Sequence, residues 1–153
     1  MKKLLLFFAT TILISPAFAQ KISVDNVPAA VISAFKAKFS IAEKTTWELD
    51  YDNYEADFIV GKTDFSSKFD KDGKWLETTT YLKPSELPKE IKEALSKKYG
   101  EILSAYKIED AKKVEKEKET IYTMEITKGE NVYDVEFDNE WEMVKEEKKS
   151  GTK

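Results

Sequence analysis

Two stretches of this chain spell one pattern sixty positions apart. Val27-Pro28-Ala29-Ala30-Val31-Ile32-Ser33-Ala34-Phe35 returns as Leu87-Pro88-Lys89-Glu90-Ile91-Lys92-Glu93-Ala94-Leu95. Each stretch is followed by alternating apolar and polar segments that end in similar hairpin sequences, Phe69-Asp70-Lys71-Asp72-Gly73-Lys74-Trp75 and Phe137-Asp138-Asn139-Glu140-Trp141. Duplicated units of this size constrain the chain to one fold built from two halves.

Within the first unit, Val27, Val31, Ala34, Phe35 and Phe39 recur at helical spacing and form one stripe. Leu87, Ile91, Ala94, Leu95 and Tyr99 repeat that stripe, with Gly100 as its stop. Pro28 suits the first turn of a helix, where its missing N–H costs nothing. After each stripe the period changes to two, the signature of half-buried strands. Trp47, Leu49 and Tyr51 alternate with Glu48 and Asp50, and Ala56, Phe58 and Val60 alternate with Glu55 and Asp57. Phe65, Ser67 and Phe69 alternate with Asp64, Ser66 and Lys68. Gly73 supplies the positive φ of a hairpin loop. The segment from Lys74 to about Leu82 is rich in Thr, as edge or half-exposed strands tend to be. Tyr106 to about Val114, Tyr122 to Ile126 and Tyr133 to Phe137 continue the pattern, and Trp141 and Met143 finish the last strand. Asp138-Asn139-Glu140 is shorter than its counterpart and lacks the glycine, which predicts a different turn. The charged end from Lys145 to Lys153 is expected to fray, with residues 148–153 a disordered tail.

The expected fold class is α+β: two tandem helix-plus-antiparallel-strand repeats, about 25–82 and 85–146, forming a largely antiparallel sheet with both helices on one face. Residues 20–147 then make one domain. The chain begins with Lys2 and Lys3, an apolar run from Leu4 to Ile14 and the small-residue site Ala17-Phe18-Ala19, which reads as a secretory signal peptide over residues 1–19. The run is shorter than the ~20 residues of a spanning helix. Cleavage before Gln20, where no cysteine offers a lipid site, leaves an expected mature chain of 134 residues that is exported, not inserted in a membrane, and monomeric.

Composition prunes the chemistry. The chain has no cysteine and no histidine, and its basic residues are all lysines. Without the signal, 23 lysines face 29 acids, a net charge of −6. Cys–His nucleophiles and imidazole or thiolate metal sites are excluded, and an acidic chain without an arginine-rich stripe does not suit nucleic acid. No phosphate-binding loop or nucleophile elbow is present. No catalytic residue, metal ligand or cofactor is therefore assigned.

The alternation places Glu48, Asp50, Glu55, Asp57, Asp64, Glu125, Asp134 and Glu136 together on the face away from the helices. That face either steers a basic protein partner or gathers calcium, or it is a solvated surface kept soluble by interleaved lysines. The aromatics either fill the core or rim a pocket. Trp75 and Trp141, beside the hairpin turns, are the candidate partner anchors, alongside Glu48, Asp50, Glu55, Asp57 and Asp64. Asp70 and Asp72 fit a turn better than a calcium loop, since the terminal Glu of such a loop is absent.

The chain resembles the periplasmic beta-lactamase-inhibitor-like, PepSY-like proteins of Gram-negative bacteria. The resemblance rests on Val27-Pro28 and Leu87-Pro88, on Tyr122 to Thr127 and on the Phe69-to-Lys74 hairpin, and it spans the mature chain. It implies helix-plus-sheet repeats and a periplasmic, non-catalytic binding or inhibitory role with no defined ligand and no catalytic residue to transfer; taken with the export signal and the missing catalytic residue types, it makes a protein partner the first expectation. A small-molecule or calcium carrier is the alternative, and a carboxylate-only hydrolase a third class.

Overall fold

The structure, a computed structural model, describes residues 20–100 and 105–149. The signal sequence therefore lies outside the described residues, as do positions 150–153 of the expected tail. Nine strands form one sheet in sequence order, every neighbouring pair antiparallel. They are β1 (Gln20–Ile22), β2 (Glu43–Asp50), β3 (Asn53–Val60), β4 (Thr63–Asp70), β5 (Trp75–Tyr81), β6 (Lys107–Lys116), β7 (Thr120–Lys128), β8 (Asn131–Phe137) and β9 (Met143–Lys148). Helix α1 (Ala29–Lys38) precedes β2 and helix α2 (Lys89–Tyr99) precedes β6.

Both helices start immediately after a proline, whose carbonyl accepts the first intrahelical bond: Ile32 N–H donates to Pro28 O and Lys92 N–H to Pro88 O. Gly100 ends α2 with φ 101°. The stripes are buried as their spacing requires. Val31 and Phe35 of α1 pack with Val27, Trp47, Ala56, Phe58 and Phe69, and the rings of Phe58 and Trp47 meet Phe35 edge-on. Ile91, Leu95 and Tyr99 of α2 form a second cluster with Leu87, Tyr122, Met124, Ile126, Val135 and Phe137.

Residues directly opposite in an antiparallel pair share a face of the sheet. From Trp47 through Ala56, Ser67, Thr78, Glu115, Thr120 and Tyr122, the cross-strand partners place both clusters, and so both helices, on one face. The seam between the clusters is polar. Thr78 and Thr80 are buried there, and Ser67, fully buried, shares a hydrogen bond with Thr78 and donates to the Glu77 carbonyl. The threonines of β5 thus lie in the middle of the sheet, not at an edge, and β5 joins β6 from Glu77↔Lys116 to Tyr81↔Lys112.

Three local expectations are corrected. The loop after Phe137 uses the same turn as the loop after Phe69. Asp70 Oδ1 accepts from the Asp72 and Lys74 amides, and Asp138 Oδ1 accepts from those of Glu140 and Glu142. The backbone bonds also correspond, Gly73 N–H to Asp70 O and Trp141 N–H to Asp138 O. Trp141 therefore occupies the place of Gly73, at φ 67° against 83°. Tyr51, expected on the inner side of β2, instead turns the β2–β3 hairpin at φ 54° and is exposed. Lys145 to Lys149 do not fray: β9 pairs with β8 as far as Tyr133↔Lys148, and Lys149 N–H donates to Val132 O. Edge strands carry charge because charge discourages further pairing, so a low apolar content there is not a sign of disorder.

Candidate functional site

Among the described residues no helix packs on the second face of the sheet, and the alternating acids stand on it in register. One cross-strand row runs Glu48, Glu55, Lys68, Glu77, Lys116, and the next runs Thr46, Asp57, Ser66, Thr79, Val114, Ile121. Asp50 and Asp64 extend the same side of β2 and β4. In the other half, Glu125 faces Asp134, and Glu136 faces Lys145. All five acids proposed from β2 to β4 are thus brought to one surface.

Lysines partition that surface unequally. Lys68 Nζ lies 2.9 Å from Asp50, 3.7 Å from Glu55 and 4.0 Å from Glu77. Burial works against its ammonium, but the hydrogen bond it donates to Asp50 and the fields of Glu55 and Glu77 outweigh it and hold its pKa above the ordinary lysine value. Lys149 bridges Glu125 and Asp134, and Lys145 pairs with Glu136 at 3.1 Å. Among the described residues, Asp57 and Asp64 form no such pair. Burial pushes the Asp57 carboxyl above the ordinary aspartate range and Glu55 adds to the push; the Ser66 hydroxyl partly opposes it.

Asp57 and Asp64 line a cavity of about 370 Å³ with Thr46, Ile59, Tyr81 and Lys44. Its shape follows from local backbone. A register shift between Glu43 and Thr46, with Lys44 at φ 52°, interrupts the regular β2–β3 ladder at this end before it resumes at Glu43↔Ile59. Tyr81, an aromatic that would have been assigned to the core, is 42% exposed at the end of β5. Its parity with Glu77 and Thr79 was the available signal. Burial raises its hydroxyl pKa; Lys112, whose ammonium is 5.6 Å from the ring centroid, opposes that and Asp57 adds to it.

The two tryptophans are elsewhere. Trp75 is opposite the buried Phe69, on the helix side. It is half-buried, its Nε1–H donates to Thr78 at 2.8 Å, and Lys38 Nζ sits 4.0 Å from its ring centroid. Trp141, also half-buried, packs on Tyr122 with centroids 5.5 Å apart. A partner lying flat on the acidic face cannot also cover both rings. Among the described residues no group of three acids converges as a metal site requires, and Asp70 spends one carboxylate oxygen on two turn amides.

Comparisons with known proteins place this geometry. The profile of a family described as "Putative beta-lactamase-inhibitor-like, PepSY-like" matches residues 52–150. No curated protein matches the chain. Among solved structures, a BLIP-like protein from Bacteroides fragilis is similar at TM-score 0.70 and 22% identity, over 82% of this chain and 89% of its own. A DUF2874 family protein from Bacteroides uniformis matches at TM-score 0.68 and 22% identity, over 79% and 88%. A Bacteroides eggerthii structure described as "putative periplasmic proteins" matches at TM-score 0.68 and 21% identity, over 80% and 88%. At these identities the likeness speaks for the fold.

Proposed function

The chain belongs to the beta-lactamase-inhibitor-like, PepSY-like family, and on that premise we propose that it is an exported, monomeric, non-catalytic binding or inhibitory module that takes a protein partner on the helix-free face of its sheet. The observation that carries this reading is the face itself: cross-strand rows of half-buried charges on strands whose other side is fully committed to the core. Antiparallel sheets with one solvated side are common. This one differs in gathering its unbalanced negative charge at the β2–β4 end, where like charge raises the local potential and steers a basic partner. The apolar run ahead of Gln20 and the periplasmic description of the Bacteroides eggerthii structure support export.

We read the two helix-led halves as copies of one unit. The matched turns at Asp70 and Asp138 support this, because an identical hydrogen-bond set persists where glycine has become tryptophan. On this reading the inward positions maintain the scaffold, and the outward positions, which differ between halves, determine what binds.

Site-specific photocross-linking tests the proposal. A cross-linker at Thr79 or Lys116 on the open face should give discrete adducts in periplasmic extract, and one at Lys97 on the exposed side of α2 should give none. Equal labelling from both faces, or adducts from the helix side alone, would remove the open face as the docking surface.

A further inference from the structure

The two ends of the helix-free face can be matched strand for strand by their cross-strand registers. Phe69 lies opposite Trp75 and Phe137 opposite Met143, so β4–β5 corresponds to β8–β9. Counting outward from those pairs, Lys145 takes the place of Glu77 and Lys149 that of Tyr81. On the preceding strands Ala56 faces Ser67 and Met124 faces Val135, so Glu125 takes the place of Asp57. The Glu125 carboxylate is met by Lys149, which also reaches Asp134 at 3.0 Å. At the other end the equivalent carboxylate, Asp57, has an aromatic ring where the ammonium would stand, and a cavity opens between them.

We propose that this cavity is the anchor site for one arginine side chain of the protein partner, which supplies the cation that Lys149 supplies in the other half. The inference rests on the open-face docking reading and names its recognition chemistry. Three properties of the site select this occupant. Asp57 and Asp64 are two carboxylates that form no ion pair among the described residues, Lys21 acting on Asp57 only through its field, and a guanidinium can donate to both through its planar fork. Tyr81 offers a ring for the same plane to stack on, in competition with the Lys112 ammonium 5.6 Å from its centroid. Ile59 provides an apolar wall for the methylene stem. Lys44 lines the cavity but pairs with neither carboxylate, leaving the site with a net negative charge. A half-buried carboxylate lacking a counterion disfavours the folded state by itself, as residues placed for binding often do.

The test is an amide NMR titration of the isotope-labelled mature chain with Nα-acetyl-arginine N-methylamide, using the citrulline analogue as the uncharged isostere. Arginine should move the Asp57, Asp64 and Tyr81 signals saturably, citrulline should not, and Asp57→Asn should weaken the effect by about tenfold. Tyr81→Lys, which rebuilds the internal cation, should abolish it while the thermal transition shows the chain folded. Equal shifts with citrulline, equal shifts at Glu125 and Asp134, or undiminished binding by Tyr81→Lys would each overturn the proposal. If these titrations fail while open-face cross-links persist, the arginine pocket is lost and the docking face is not.

Discussion

Replacing Gly73 with alanine probes how tightly the β4–β5 hairpin is seated on α1. Gly73 has φ 83°, and a Cβ built there would stand 2.7 Å from the Ala30 carbonyl oxygen and 2.9 Å from its carbon. Both are backbone atoms at the start of α1, so no side chain can swing aside. Gly61 and Gly129 have φ 65° and 60°, with nothing within 4 Å of the same Cβ. Alanine at either of those positions bears only the left-handed backbone penalty, roughly 1 kcal/mol, partly offset by the lower entropy of the unfolded chain. At Gly73 the same penalty is joined by the displacement of the hairpin from the helix, about 1–3 kcal/mol by analogy with overpacked cores. Gly73→Ala should therefore cost about 2–4 kcal/mol and lower Tm by roughly 6–15 °C, while Gly61→Ala and Gly129→Ala lower it by no more than about 4 °C. Urea and thermal unfolding of the three variants measure the difference directly. If Gly73→Ala were no worse than Gly61→Ala, the close approach of hairpin and helix would be refuted.

Asp57→Asn should raise Tm at neutral pH. The folded state holds the Asp57 pKa above the ordinary 3.8, so ionisation disfavours folding; the penalty grows as pH rises through the folded pKa and is absent below the unfolded one. Thermal melts should show the advantage of asparagine fading in acid, and a variant less stable than the parent at neutral pH would contradict this. Glu146→Gln tests the anchoring of β9, because Glu146 accepts from Lys98 at 2.6 Å and from the Tyr99 hydroxyl. Lys98 and Tyr99 hold its pKa below the ordinary 4.5, so its contribution is full above the unfolded value and is lost as pH falls through the folded one. Faster amide exchange in β9 at neutral pH, converging with the parent in acid, is the expected result. Lys68→Met should cost about 1 kcal/mol at low salt by leaving Asp50, Glu55 and Glu77 to repel one another, and less in concentrated salt; urea titrations at two ionic strengths check it.

The helices and the two faces of the sheet were legible because periodicity is read from side chains, and Val31, Phe35, Ile91 and Leu95 leave no other apolar stripe to bury. Three features escaped for separate physical reasons. Strand β1, three residues long, is too short to display a period. The turn at Asp138 was hidden by reliance on glycine, although the signal was the aspartate: Asp70 and Asp138 each gather two amides, and that bonding, with packing on Tyr122, holds Trp141 at positive φ. Strand β9 was lost because its stability comes from pairing and from Glu146, neither of which apolar content reports. For the candidate site, alternation brought Glu48, Asp50, Glu55, Asp57 and Asp64 together. Their different ionic environments could not be read, since Lys68 and Tyr81 reach them through cross-strand register. Trp75 and Trp141 were chosen for their place beside hairpins, and the structure puts them on the helix side.

The account depends on one face of the sheet being free while the other is filled, and solvent paramagnetic relaxation enhancement measures that residue by residue. With a soluble gadolinium chelate and side-chain-labelled protein, enhancement should alternate with period two along β3, β4, β7 and β8. Glu55, Asp57, Lys68, Glu125 and Glu136 should be strongly relaxed, and Ala56, Ser67, Met124 and Val135 protected. Uniform protection along those strands would mean that the acidic face is covered in the free protein, and would contradict its assignment as an open docking surface.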